Sequence, residues 1–341
     1  MSLTSSAVFS CDAVVPARTA PLARLAAGHA HTLQGRADLR LLPQYGSGAR
    51  TATVAWTLTG PHDAPCIAVL GGISAHREVA GAAGWWPQQT AAAGALDTAR
   101  WRVLGLDWLD ADALGAPAVS SADQAQALAG VLDVLGIERL HALIGASYGA
   151  MVGLAFAART PQRLRHLLAI AGAHRAHPQA AALRAVQRSI VRLGLAHGAD
   201  GEALALARQL AMIGYRSPRE LGRRFAGAAE LTAQGVRVAA QDWLDAAGQR
   251  FVQRFDARRF LALSESIDLH AIEPAAVRVP TTLVGFSSDQ LVPVADLCAL
   301  QRGLGAPCAL HVLDSEYGHD AFLKEHVALG RVLDEALRAN D

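Results

Sequence analysis

The run Gly145-Ala146-Ser147-Tyr148-Gly149 has the form G-x-S-x-G. In that pattern a serine sits on a sharp strand-to-helix turn, and small flanking residues let the backbone pass close by. A serine hydroxyl is a weak nucleophile until a base takes its proton, and a carboxylate must hold that base in its working tautomer. The chemistry therefore asks for a downstream histidine with an acid between the two in chain order. His319 fits, because it follows the last strand-like run in Ser315-Glu316-Tyr317-Gly318-His319-Asp320-Ala321-Phe322. His29, His31, His62, His174, His177 and His197 read as solvated or core residues. Asp289, in Ser287-Ser288-Asp289-Gln290 directly after another strand-like run, is the preferred acid; Asp314 competes but would need a tight loop to face the ring. A developing oxyanion needs backbone donors. Tyr148 N–H is the first, and Leu70-Gly71-Gly72-Ile73-Ser74 is the source of the second, with Gly71 preferred over Gly72. A plain strand-ending turn is the bland alternative for that loop.

The elements that would position these groups alternate along the chain. Apolar, β-branched runs at Thr53–Leu58, Ile67–Leu70, Val103–Leu106, Leu140–Ile144, Leu167–Ile170, Thr282–Val284 and Leu310–Leu313 are separated by helical stretches. This predicts an α/β fold with a mostly parallel sheet flanked by helices. Ser120 with Asp123 three residues on, then Leu128, Val131, Leu132, Leu135 and Gly136, marks a crossover helix with a capping box. From Ala173 to about Ile272 the sequence is dense in Ala, Leu, Arg and Gln at helical spacing. The expected organisation is a core over 1–172, a helical cap over 173–272, and the rest of the core over 273–341, closing with a helix from about Ala321 to Leu337.

Composition narrows the function. Lys and Arg number 31 against 30 Asp and Glu, and a formal charge of +1 gives no reason to expect nucleic acid or an anionic membrane as partner. Cys11, Cys66, Cys298 and Cys308 are scattered, without zinc-ligand spacing, and read as apolar free thiols. No metal site and no bound cofactor are expected. The first residues lack a basic and apolar leader pattern, which suggests a cytoplasmic location. Leu140 to Ala158 approaches the length of a membrane span, but the G-x-S-x-G turn divides it into strand and helix. Trp85-Trp86 reads as packing.

Three further stretches carry a family resemblance: Tyr317-Gly318-His319-Asp320-Ala321-Phe322-Leu323, Gly248-Gln249-Arg250-Phe251-Val252-Gln253-Arg254-Phe255-Asp256-Ala257, and Tyr215-Arg216-Ser217. With the serine motif, they make the chain resemble the homoserine O-acyltransferases of methionine biosynthesis, a branch of the α/β-hydrolase superfamily, from about Thr51 to the C-terminus. The resemblance implies an α/β-hydrolase fold and a homodimer formed through the cap. It also implies that Arg216 binds the carboxylate of the amino-acid substrate and Asp320 its ammonium group, which suits a planar guanidinium and a carboxylate. Arg219, Arg223 and Arg224 offer the same chemistry nearby.

The chain departs from members that use acetyl-CoA, which commonly carry Gly, Met and Gly where Ala146, Tyr148 and Ala150 stand. The Leu70 to His76 loop differs from their Ala-Leu-Thr-Gly pattern as well. In these respects the chain looks like the succinyl-CoA-using members, so succinyl-CoA is the expected donor and acetyl-CoA the alternative. His76 or Arg77, beside the oxyanion loop, is expected to meet the extra carboxylate of a succinyl group. Homoserine is the expected acceptor with serine as alternative, since one methylene is worth only about 1–3 kcal/mol in a pocket. The expected reaction is ping-pong transfer through acyl-Ser147. An esterase or thioesterase with the same triad, or a non-catalytic binding protein on the same fold, are the rival readings.

Overall fold

The structure, a computed structural model, describes residues 31–338; Cys11 and His29 lie outside them, as does the N-terminal part of the first expected core segment. The chain opens with the antiparallel pair β1 (Thr32–Leu41) and β2 (Arg50–Thr59). It continues through β3 (Cys66–Leu70), the single turn α1 (Pro87–Thr90), β4 (Arg102–Leu106), the short α2 (Ala111–Leu114), α3 (Ser121–Val134), β5 (Leu140–Ala146), α4 (Tyr148–Arg159) and β6 (Leu164–Ile170). A mainly helical segment follows: α5 (Pro178–His197), α6 (Asp200–Tyr215), α7 (Pro218–Arg224), the hairpin β7 (Glu230–Thr232) and β8 (Gly235–Arg237), α8 (Gln241–Val252) and α9 (Ala257–Leu269). The sheet then resumes with β9 (Thr281–Phe286), α10 (Val294–Gly303), β10 (Cys308–Leu313) and α11 (His326–Arg338).

The large sheet runs β1-β2-β4-β3-β5-β6-β9-β10. β2 is antiparallel to β1 and β4, and the other neighbours are parallel. β3, β5 and β9 are buried at every residue, as strands covered on both faces must be. Their side chains supply two apolar layers, one beneath α3 and α4 and the other beneath α11. Every strand-like run of the sequence lies inside one of these strands. β1 escapes the pattern because it is a half-solvated edge strand, where Arg36, Asp38 and Arg40 alternate with buried Ala37, Leu39 and Leu41. The hairpin β7–β8 also escapes, being three-residue strands in helical surroundings.

α3 has the expected capping box: the Ser120 hydroxyl accepts the Asp123 N–H, and the Asp123 carboxylate accepts the Ser120 N–H. The Leu140 to Ala158 stretch divides at Ser147 into β5 and α4, and among the described residues no helix is long and apolar enough to cross a membrane. The closing helix starts later than its periodicity suggests. Gly318–Leu323 is a 3-10 turn, and α11 begins only at His326. Within that turn His319 and Phe322 are buried, and the Phe322 carbonyl accepts the Trp86 indole N–H at 3.3 Å. Cys66 is buried, and burial pushes its thiol up to about 12; Trp85 and Trp86 stack with centroids 5.0 Å apart.

The α5–α9 segment leaves the sheet after β6 and returns before β9, two strands that pair directly. An isolated bridge between Arg175 and Ala271 closes its base. There His270, at the end of α9, meets the hydroxyl of Ser121 in α3 through Nδ1 at 2.7 Å. Burial pushes the His270 imidazole down to about 4; the Ala173 backbone opposes the shift and neighbouring His174 adds to it. A folded-state value below the ordinary 6.5 means the unfolded chain takes the proton first. His270 therefore makes a stability contribution that is complete above 6.5 and fades as pH falls towards 4. The fade is up to about 3 kcal/mol. In urea titrations at pH 7, 5.5 and 4.5, His270→Gln should gain on the parent as pH falls; a constant stability difference would show that this ring is not responsible.

Candidate active site

Ser147 occupies the turn between β5 and α4 at φ 57° and ψ −117°, a conformation that side chains avoid. Its N–H donates to the Ile170 carbonyl at 2.8 Å, tying the turn to β6. The flanking glycines are needed for space. A Cβ on Gly145 would lie 2.2 Å from the Gly149 carbonyl oxygen, and one on Gly149 would lie 2.2 Å from the Leu70 carbonyl oxygen. With no room for bulk on either side, the chain turns sharply and lifts the Ser147 hydroxyl clear of the sheet.

That hydroxyl lies 2.8 Å from Nε2 of His319, whose Nδ1 is 2.7 Å from Oδ2 of Asp289. A carboxylate can only accept, so Nδ1–H donates to Asp289 and Nε2 is left to accept the Ser147 hydroxyl proton. The other Asp289 oxygen accepts the Leu291 and Val292 N–H groups at 2.8 and 3.1 Å, which fixes the carboxylate. Asp314 instead accepts from Ser287 at 2.7 Å, next to but outside this line. Burial alone would push the His319 imidazole down. The charge and hydrogen bond of Asp289, with a further contribution from Asp320, override burial and hold it above its usual value, while Arg184 works against them.

Tyr148 opens α4, where no earlier turn accepts its N–H, and that N–H has no acceptor among the described residues. On the facing loop, Gly71 directs its carbonyl to the Gly149 N–H at 2.8 Å. The residue of this loop that lines the cavity with Ser147 is Ile73, two positions beyond the expected Gly71. The Ile73 N–H also lacks an acceptor among the described residues. His76 and Arg77 do not line the cavity. The Arg77 guanidinium is bound by Asp107 at 2.6 Å, and His76 Nδ1 accepts the Glu78 N–H, so neither is positioned as expected for an acyl carboxylate.

Arg216 and Asp320 are brought together, but with each other: a guanidinium nitrogen lies 2.9 Å from Asp320 Oδ2. Glu220 takes the other end of Arg216 at 3.2 Å, while the buried Arg216 Nε keeps no partner. The pair stands beside His319, set back from the cavity lining. Arg223 pairs with Glu316 and Arg224 spans Phe225 and Trp243. The sequence reading missed Arg184 and Gln187 of α5 and Tyr215 of α6, all of which line the cavity with Ser147 and His319. Arg184 Nε donates to Asp268 at 2.7 Å, and Arg188 donates to the other Asp268 oxygen at 2.6 Å. Two guanidiniums thus share one carboxylate, leaving an excess positive charge at the cavity wall. The available signal was three polar residues, Arg184, Gln187 and Arg188, on one face of an otherwise Ala-rich helix.

Comparison with known proteins shows the fold and the family. A family model described as alpha/beta hydrolase fold matches residues 71–326. Over 303 residues, 87% of this chain and 82% of the other, the sequence is 51% identical to a homoserine O-succinyltransferase of Xanthomonas campestris pv. campestris. It is 33% identical over 294 residues to a homoserine O-acetyltransferase of Clavibacter michiganensis subsp. michiganensis, covering 73% and 75% of the two chains. The crystal structure of a homoserine O-acetyltransferase from Bacillus anthracis superposes with a TM-score of 0.80 at 15% identity, covering 90% of this chain and 97% of that one, a likeness of fold.

If Asp289 holds the imidazole as its position indicates, Asp289→Asn should slow turnover of an activated ester roughly 10³- to 10⁴-fold. The neutral ring is the base, so in the parent kcat/KM should rise with pH through a value above 6.5. In the variant that acid limb should move to lower pH. An unmoved limb would mean that Asp289 does not set the ring's protonation.

Proposed function

The chain belongs to the homoserine O-acyltransferase family of the α/β hydrolases, and on that premise we propose that it moves a succinyl group from succinyl-CoA to the hydroxyl of L-homoserine through an acyl-Ser147 intermediate. The observation that carries the succinyl reading is a hydrogen-bonded serine and an incompletely neutralised guanidinium, Arg184, on the wall of one cavity. An acetyl group offers an arginine nothing to bind, whereas a succinyl group ends in a carboxylate. The succinyltransferase relative supports the same choice.

In the proposed mechanism Ser147 Oγ attacks the thioester carbonyl as His319 Nε2 takes its proton. Asp289 keeps the tautomer and stabilises the imidazolium. The oxyanion settles on the N–H of Tyr148 and on the turn that Gly71 opens, with Ile73 N–H as the second donor. The carbon–sulfur bond breaks, and the leaving CoA sulfur takes the proton back from His319. Homoserine's hydroxyl then gives its proton to His319 and attacks the acyl-serine, and the product leaves when Ser147 recovers that proton. Arg216 and Asp320 form the site for the acceptor's carboxylate and ammonium. Arg216 is joined to Asp320 at 2.9 Å behind the cavity lining, so the acceptor must part the pair to use both charges. Acyl-CoA is a co-substrate in this scheme, and no resident cofactor is needed. A cytoplasmic enzyme and a homodimer through α5 and α6 belong to the proposal. Exposed Val186 and Leu193, and Leu206 and Ile213, one heptad apart on those packed helices, support the dimer.

Steady-state kinetics with succinyl-CoA and acetyl-CoA crossed against homoserine and serine tests the reading. The succinyl-CoA and homoserine pair should have the highest kcat/KM, and hydrolysis should be slow beside transfer. A preference for acetyl-CoA, or water outcompeting both amino acids, would overturn it. Arg184→Leu should lower kcat/KM for succinyl-CoA about 10- to 100-fold, the size of one charged hydrogen bond, and leave acetyl-CoA nearly unaffected. Equal losses with both donors would remove Arg184 from donor recognition.

A further inference from the structure

Trp108, in the segment after β4, is 5% exposed and plays no part in the chemistry above. Its indole N–H donates to the carbonyl oxygen of Gly72 at 3.0 Å, the same oxygen that accepts the Ala75 N–H at 2.9 Å. In a planar trans peptide the carbonyl of one residue and the N–H of the next point in opposite directions. Holding the Gly72 oxygen towards Trp108 therefore aims the Ile73 N–H the opposite way, and Ile73 lines the cavity with Ser147. The indole and the Tyr148 ring pack edge to face, with centroids 4.9 Å apart and planes at 69°. Tyr148 carries the other oxyanion donor.

The same two aromatic residues are fastened to α9. The Tyr148 hydroxyl pairs with the Ser266 hydroxyl at 2.6 Å, and the Trp108 carbonyl accepts from the Arg259 guanidinium at 2.8 Å. Gln124, which exchanges two hydrogen bonds with the Leu109 backbone at 3.0 and 2.7 Å, holds the Trp108 segment from the core side. The Trp108 indole thus touches both halves of the oxyanion site, while its backbone carbonyl is bound to the helix that covers that site.

We propose that Trp108 is a positioning residue that aims the Ile73 N–H at the oxyanion and couples that aim to the seating of α9 through Tyr148–Ser266 and Arg259. The inference rests on the reading of Ser147 as nucleophile. Under it, acylation is fast only when α9 is seated, which protects the acyl-enzyme from water before the acceptor arrives.

Trp108→Phe removes the indole N–H and keeps a ring against Tyr148. The assay is the burst of CoA released on mixing enzyme with succinyl-CoA, read beside steady-state kcat, KM and the melting temperature. The burst rate and kcat should fall about 10- to 100-fold, below the loss of a whole oxyanion donor because the N–H is misaimed and not removed. KM for succinyl-CoA and the acid limb of the pH profile should stay in place, since neither substrate contacts nor His319 are touched. A burst within about twofold of the parent, or a loss confined to KM, would overturn the proposal. If Trp108→Phe does not fold, Ser266→Ala decides: a kcat at least threefold lower at unchanged KM upholds the coupling, and an unchanged kcat refutes it. In the same assay Ser147→Ala must abolish the burst. If it does not, the nucleophile assignment fails, whatever Trp108→Phe does.

Discussion

Ser147 is held at φ 57° by its neighbours and not by its own preference. The strain is of order 1–3 kcal/mol. Three contacts sustain it: the Ser147 N–H on β6, the Gly149 N–H on the Gly71 carbonyl, and the backbone contact that leaves no space beside Gly145. Each comes from a different neighbouring strand or from the start of α4, so the turn is over-determined by the sheet. The rest of the site follows from that placement. An N–H at the first position of α4 is freed, β9 and β10 deliver their loops to the same edge of the sheet, and the imidazole at 319 arrives between them.

The electrostatic arrangement is a contest that the buried carboxylate wins. His319 is sealed from water, which disfavours its charged form, yet Asp289 stands at hydrogen-bond distance with its second oxygen satisfied by two backbone N–H groups. The ring is thus poised to accept a proton because Asp289 and Asp320 together outweigh the cost of burying its charge, against which Arg184 adds a smaller opposing effect. Asp268 does similar service for the arginines of α5: bound to both Arg184 and Arg188, it anchors the guanidiniums without cancelling their charge. The cavity is therefore lined by a hydroxyl, an imidazole and a guanidinium, the last two oriented by the carboxylates of Asp289 and Asp268 behind them.

Much of this was legible in the chain. Central strands such as β3 and β5 are continuous apolar runs because both faces are covered. The G-x-S-x-G turn is visible because two close approaches of backbone leave glycine as the residue that fits. Ser147, His319 and Asp289 each directly follow or closely trail a strand, so chain order and strand order pointed to the same three residues. Less legible was anything decided between helices. Arg184 and Gln187 look like ordinary polar positions until α5 is laid across Ser147, and that Ile73 rather than Gly71 lines the cavity depends on how the loop after β3 turns. Arg216 and Asp320 were each singled out through family resemblance, as substrate ligands. Their salt bridge to each other was not foreseen, because it joins the end of α6 to the turn after β10.

The α5–α9 segment departs from one strand and rejoins at its hydrogen-bonded neighbour. About a hundred residues are thereby hung from a gap that a short loop could span, and lengthening such a loop adds little to its closure entropy. The register of β6 against β9 does not depend on what lies between them. Evolution can accordingly rebuild this module wholesale, exchanging the helices that line the cavity, while the turn at Ser147 stays as it is in the sheet beneath.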